Sequence, residues 1–354
     1  MGTELIHPIR DVKFLRPQTE WKWEVAIYLY LAGMGAGSYI IGIIINWSVD
    51  LSNPISLLGF SFDLAKATIL WGPILVAIGA PFLILDLGIK RRFLYACLNP
   101  KTSWVARGFL VLSTFIVLGL VTLVISILPF QWLIEQITLR HILEIVSTIF
   151  ALATAIYTGI LLKSTKYVSL WNTPLLPLLF LISALSTGSM SIILSMLGYG
   201  LLVPSGQFSP GLVHSVMVAE QIFVFIEIAV LALYLYQRYR TEDLMEQGKS
   251  SVRLLLSGEL RTIFWGGIVV TGFGFPIVLE FLYSHFPGYP VLLWMTGIFL
   301  LVGGFFLRLG VISAGIKNQI PMQRLIEIQY NWRALQKNFP SVMPGRDRGF
   351  EKRN

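Results

Sequence analysis

The sequence predicts an all-α integral membrane protein of about eight transmembrane helices, arranged as two four-helix bundles. Three observations lead there. The chain is 55% hydrophobic and only 13% charged, with a mean hydropathy of +0.72, whereas soluble domains carry about 25% charged residues. Apolar stretches of bilayer-spanning length, about 20 residues, recur roughly eight times. Lysine and arginine are concentrated in alternate connections.

In chain order, the expected spans run from Val25 to Trp47, Ala65 to Leu87, Trp104 to Leu128 and His141 to Leu162. They continue with Thr173 to Leu202, Leu212 to Tyr236, Arg261 to Tyr283 and Val291 to Ile316. The fifth is long and contains glycine and serine, so it is expected to be tilted or broken. Residues 1–24 form a polar arm that faces the cytoplasm or a partner. Residues 25–170 make the first bundle, 171–316 the second, and 317–354 a polar tail. Within that tail Pro321 to Phe339 reads as a partly amphipathic helix, and Ser341 to Asn354 as disordered. No short apolar core with a cleavage site precedes Trp21, so the first span is expected to act as its own insertion signal.

The net charge of +8 is distributed by loop. Arg10, Lys13, Arg16 and Lys22 lie in the arm. Lys90, Arg91, Arg92 and Lys101 lie between spans two and three, Lys163 and Lys166 between four and five. Arg238, Arg240, Lys249 and Arg253 lie between six and seven. This alternation predicts a multi-pass protein with both termini in the cytoplasm, and it accounts for the basic charge without nucleic acid. The single cysteine, Cys97, excludes an intrachain disulfide and a cysteine-ligated iron–sulfur cluster within the chain. Of four histidines, His7 lies in the arm, while His141, His214 and His285 fall at helix ends on the lysine-poor side. That distribution argues against a di-haem protein, which needs His pairs at two depths. The run Gly33-x-Gly35-x-Gly37 sits inside an apolar span, so it is a helix-packing motif rather than a nucleotide loop.

Spans one and five resemble each other. Small residues coincide at Gly33/Ala184, Gly35/Ser186, Gly37/Gly188 and Ser38/Ser189. Duplication into two bundles of the same orientation is one explanation, and chance likeness of two apolar helices is the other.

Ionisable groups inside a span cost about 2.5–3.5 kcal/mol on insertion scales, so they mark candidate sites. The basic-loop end of the first bundle holds Glu24, Tyr28, Asp86, Arg107 and Tyr157. Carboxylates, a guanidinium and two phenols at one depth suit a quinone headgroup, which needs a donor for each carbonyl and a group that exchanges protons. They equally suit helix ends anchored at an interface. The opposite end holds Asn46, Asp63, Lys66, His141 and Glu144, either a proton pathway or an exposed rim. The second bundle adds Glu220, Glu227, Glu280 and Arg308, a proton relay or a structural ion pair in which Arg308 neutralises Glu227 or Glu280.

The pattern resembles the NrfD/PsrC family, the membrane subunits of polysulfide-reductase-like complexes. The resemblance rests on Trp23-Glu24, the run Tyr28-Leu29-Tyr30-Leu31-Ala32-Gly33-Met34-Gly35-Ala36-Gly37, and Leu85-Asp86-Leu87-Gly88. It continues through Arg92-Phe93, Asn99-Pro100-Lys101-Thr102-Ser103-Trp104 and Tyr157-Thr158-Gly159. It closes with Trp171-Asn172-Thr173-Pro174-Leu175-Leu176-Pro177 and Gly303-Gly304-Phe305-Phe306-Leu307-Arg308. It implies a haem-free subunit in a prokaryotic inner membrane that exchanges electrons between menaquinone or ubiquinone and a ferredoxin-like iron–sulfur subunit, with a molybdopterin catalytic subunit behind it. The quinone site is then expected in the first bundle, close to the iron–sulfur partner. Tyr28 stands where a relative carries a quinone-side histidine, which keeps a hydrogen-bond donor but changes its proton chemistry. Several relatives dock their partner on the outer face, whereas here the quinone end is the basic, cytoplasm-predicted end. Basic loops would also suit docking of an acidic partner. Two other functions compete: a secondary transporter using Glu227, Glu280 and Arg308, and a passive anchor, which has no need of buried charges.

Overall fold

The structure, a computed structural model, describes residues 18, 21–49, 55–57, 60–86, 101, 103–127, 137–203, 208–241 and 247–316. The expected tail helix from Pro321, Cys97, His7, most of the second–third connection and the basic residues of the arm before Lys22 lie outside these residues.

Helices dominate. Helix α1 covers Trp23–Ser48, α2 Leu64–Leu70, α3 Gly72–Asp86, α4 Trp104–Ile127 and α5 Ile137–Lys163. Helix α6 covers Leu175–Leu202, α7 Pro210–Arg240 and α8 Gln247–Leu256. A π-helical stretch, Thr262–Gly274, continues directly into α9, Phe275–His285, and α10 covers Pro290–Ser313. A two-stranded antiparallel hairpin pairs β1, Ile55–Leu57, with β2, Phe60–Phe62. The sequence reading did not anticipate this hairpin, nor α8 between spans six and seven.

Among the described residues, seven helical segments are long and apolar enough to cross a membrane, and eight if α2 and α3 count as one bent span. Their outward faces are apolar: Val117, Ile149, Phe225 and Phe281 are each at least 59% exposed. Such a surface belongs in lipid. The protein is therefore an all-α multi-span membrane protein.

The second span breaks by 44° between α2 and α3. Pro73 has no N–H to continue the ladder, and it disfavours the helical conformation at the residue before it. The break also lets Gly72 approach α1, where a Cβ would meet the Ser38 hydroxyl at 2.8 Å. The fifth span, by contrast, is a single helix of 28 residues. Its glycine and serines do not break it, because they serve packing: a Cβ on Gly188 would strike the backbone of Gly37 and Ser38. Gly37 in turn lies against the Ala184 carbonyl. Of the small residues matched between spans one and five, Gly33, Gly37, Ala184 and Gly188 thus meet across the α1–α6 seam, while Gly35 lies against Gly72 and Val76 of α3.

Helix α1 is central. It packs on α3, α5 and α6, with further contacts to α2 and α10. Helices α4 and α5 pair beside it, while α6 packs with α7 and α10, and α10 with the π-helical stretch and α9. The π geometry coincides with another glycine seam, since a Cβ on Gly272 would lie 3.0 Å from the Cα of Gly303. Its i−5 register is visible where the Phe275 backbone N–H donates to the Val270 carbonyl.

The basic-loop end is tied together by side chains reaching backbone. Trp171 donates its indole N–H to Val311 O at 2.8 Å and stacks on Trp21 at 5.2 Å. Tyr234 and Arg238 donate to Leu170 O and Ser169 O, each at 3.0 Å. The Gln18 backbone N–H donates to Gly315 O at 2.7 Å. These bonds satisfy carbonyls that a short irregular connection would otherwise leave bare.

Candidate functional site

At the basic-loop end of the first four spans, two of the five expected residues, Tyr28 and Tyr157, come together. Tyr28 on α1 is 1% exposed and interacts electrostatically with Tyr157 on α5. The Tyr157 hydroxyl donates to the Trp104 carbonyl at 3.0 Å. Its ring fills the space beside Gly108, where any Cβ would collide with it. One turn into α4, Arg107 stacks its guanidinium 4.6 Å from the Trp104 ring centre and donates to Lys101 O at 2.7 Å. Glu24 occupies the first turn of α1, one turn before Tyr28. Asp86 closes α3, and its side chain lies outside the described atoms.

The polar groups here are unequally committed. The Tyr157 proton is engaged by the backbone, so its oxygen is left to accept. The buried Oε2 of Glu24 has no hydrogen-bond partner among the described residues. A buried carboxylate oxygen without a partner is costly. A buried phenol and an unpartnered carboxylate oxygen one turn apart are the polar handles that a small carbonyl ligand requires.

At the lysine-poor end, Glu144 is fully buried and is the hub of a network. It accepts from the Trp47 indole at 2.7 Å, from Arg140 Nε at 3.1 Å and from Asn46 Nδ2 at 3.3 Å, with His141 Nδ1 at 3.2 Å. Asn46, His141 and Glu144 therefore do meet. The sequence reading missed Trp47 and Arg140, although Arg140 stands at i−4 from Glu144 on the same helix face. From Glu144 the polar face continues inward. Ser147 donates to its own helix at Leu143 O, 2.8 Å, and shares a 2.5 Å hydrogen bond with Tyr39. Thr154 and Thr158 extend the buried row along α5. Asp63 and Lys66 form a separate ion pair at 3.2 Å, with Asp63 capping α2.

In the last four spans, Glu220, Glu227, Glu280 and Arg308 are all at most 4% exposed. Arg308 hydrogen-bonds the Ser183 hydroxyl and donates to Phe180 O at 3.2 Å. Its electrostatic partners are Glu227 and Tyr30. The expected counter-charge is thus Glu227; Glu280 instead faces Glu220. Beside Glu227 lies a cavity with room for about one water molecule (≈ 10 Å³), lined also by Ser186, Thr187, Gly272 and Gly303. Ser183, Ser186 and Tyr30 carry no mark in the sequence that separates them from other residues of an apolar helix. Tyr30 is informative only beside Tyr28: two positions apart on α1, one phenol faces Tyr157 and the other faces Arg308.

Comparison with known proteins agrees with this architecture. Residues 11–320 match the family model described as polysulphide reductase, NrfD. The C subunit of polysulfide reductase from Wolinella succinogenes is 29% identical, over 83% of this chain and 94% of its own length. The NrfD homolog of Haemophilus influenzae is 26% identical over 86% of this chain and 97% of its own length. For protein NrfD of Escherichia coli the figures are 24%, 83% and 94%. With nearly the whole span-bearing region matched, the protein belongs to the NrfD, or polysulphide reductase, family.

Proposed function

We propose that this protein is the quinone-reactive membrane subunit of a respiratory oxidoreductase complex of a bacterial inner membrane. The observation that carries the reading is the pairing of the buried Tyr28 phenol with the unpartnered Glu24 oxygen, in the first turns of the buried central helix. Tyr28 donates to one carbonyl of a menaquinone or ubiquinone headgroup, and Glu24 exchanges a proton with the reduced oxygen. The Tyr157 oxygen accepts from a quinol hydroxyl, and Arg107 and Asp86 complete the polar layer. The quinone is the redox substrate; the side chains named bind it, orient it and move its protons. We place this site in a first bundle, 25–170, with 171–316 as the second bundle, an arm at 1–24 and a tail at 317–354.

Membership of the polysulphide reductase family supports an electron partner outside the membrane spans. The Wolinella relative is named as one lettered subunit of polysulfide reductase, which implies further subunits beside it. The partners we assign are a ferredoxin-like iron–sulfur subunit and a molybdopterin catalytic subunit. Protons are exchanged through two groups of residues: Asp63, Lys66, His141 and Glu144 at the lysine-poor end of the first bundle, and the buried Glu220, Glu227, Glu280 and Arg308 in the second.

Purification of the tagged protein from its native membrane in mild detergent tests this. Co-purifying iron–sulfur and molybdopterin subunits, and quinol-linked electron transfer that falls on Tyr28→Phe, are expected. A protein that emerges alone and moves a labelled solute in liposomes overturns it in favour of a secondary transporter, the reading that the buried glutamates of the second bundle also suit.

A further inference from the structure

Glu220 on α7 and Glu280 on α9 face each other across two membrane-spanning elements, with Gln221 beside Glu280. Glu220 is fully buried and Glu280 is 3% exposed. Among the described residues, both oxygens of Glu220 and one of Glu280 lack any hydrogen-bond donor. Two carboxylates are acceptors only, so a pair turned towards each other cannot bond unless something supplies positive charge or a donor between them. Two bare negative charges at that separation inside a low-dielectric interior are not sustainable.

Few charged groups among the described residues face the pair. Glu227 couples to Glu220 from the same helix, seven residues and about 10 Å further along at 1.5 Å per residue. Arg308, from α10, is oriented to Glu227 and Tyr30, with Ser183 and Phe180 O holding it there. Arg308 therefore offsets the charge of Glu227 and leaves Glu220 and Glu280 to neutralise themselves.

We propose that Glu220 and Glu280 form a proton-sharing carboxyl pair, an exchangeable proton-binding site inside the second set of four spans. One carboxyl carries the proton and donates it to the other, so the pair holds one proton and one negative charge at rest. The site lies towards the lysine-poor end, and Glu227, with its water-sized cavity, is next in line towards α1. A proton arriving from the lysine-poor face neutralises the second carboxyl of the pair, and the proton then released converts an anionic Glu227 to the neutral acid and leaves the pair with one proton and one charge. This assignment does not depend on a quinone binding to the first four spans, since none of its residues contacts that layer.

The test is infrared difference spectroscopy of the purified full-length protein, with its native partners, in H2O against D2O at neutral pH. The wild type is expected to show a deuterium-sensitive carboxylic-acid C=O band that persists in Glu227→Gln and is lost in the Glu220→Gln, Glu280→Gln double variant. Glutamine is isosteric and neutral, so assembly is expected to hold. If the double variant does not assemble, Glu280→Gln alone is read instead, and a frequency shift of the band is expected because the hydrogen-bond acceptor changes. A band unchanged in the variant that is read overturns the proposal. So does a band that disappears when Na+ is added, which assigns the site to a metal cation. Quinol-linked turnover, measured on the same samples, reports separately on the first four spans.

Discussion

The Tyr157 hydroxyl donates to the backbone carbonyl of Trp104 at 3.0 Å and so locks the C-terminal part of α5 to the first turn of α4. That bond holds the phenol ring over Gly108, within electrostatic reach of Tyr28 on α1. Removing the hydroxyl costs about 1 kcal/mol, too little to unfold a helical core. Tyr157→Phe is therefore expected to assemble at wild-type levels and to lower quinol-linked turnover by about tenfold, measured in native membranes. Gly108→Val pushes the same ring aside, at an overpacking cost of about 1–3 kcal/mol, and is expected to lower turnover further.

Tyr28 and Glu24 are assigned different work, and the two variants separate it. Tyr28→Phe removes a donor to the headgroup. It is expected to raise the KM for quinol with a smaller fall in kcat, as loss of a binding contact does. Glu24→Gln keeps a polar group but cannot take up a proton, and general acid–base steps contribute about 10²–10⁴-fold. A fall in kcat of that order with little change in KM is the expected outcome. Equal turnover to wild type in both variants would sink the site.

Arg308 is fully buried, and its charge stands opposite Glu227. Arg308→Gln leaves an uncompensated buried carboxylate, a defect of about 3–5 kcal/mol. The expected result is a sharp loss of assembled protein, read by thermal melting in detergent. The double change Arg308→Gln, Glu227→Gln removes both charges and is expected to recover most of that loss. If it recovers none, the two residues are not coupled.

The α1–α6 seam predicts a purely structural failure. A side chain on Gly37 or Gly188 meets the backbone of the facing helix, not a movable side-chain tip. Gly37→Val and Gly188→Val are each expected to abolish accumulation of the folded protein. Gly211 has nothing within reach of a Cβ, so Gly211→Ala is expected to accumulate normally, checked by immunoblot of membranes.

Glu144 is bonded by four side chains at the lysine-poor end of the first four spans. Glu144→Gln turns one acceptor oxygen into a donor that clashes with Trp47 or Arg140. It is expected to destabilise by about 1–3 kcal/mol and to slow turnover only if protons pass there. Unaltered turnover in a destabilised variant would make the network structural.

The sequence alone determined that this protein spans the membrane, roughly where, and which residues are too polar for lipid. Composition and span-length hydrophobic runs carry that information locally, because each helix satisfies its own backbone. It also marked Gly33, Gly37, Ala184 and Gly188 as a packing pattern. The tertiary structure decided what that pattern does: the matched residues of spans one and five are each other's neighbours. It left the fifth span unbroken, put a break in the second, where Pro73 interrupts the ladder beside α1, and put π geometry at Gly272, where α10 comes closest. It gave Arg308 to Glu227 and left Glu220 facing Glu280. Which acid meets which base depends on how helices far apart in sequence rotate about their axes. That rotation is fixed by glycine seams and side-chain shape across the bundle, and a list of polar residues along one helix does not contain it.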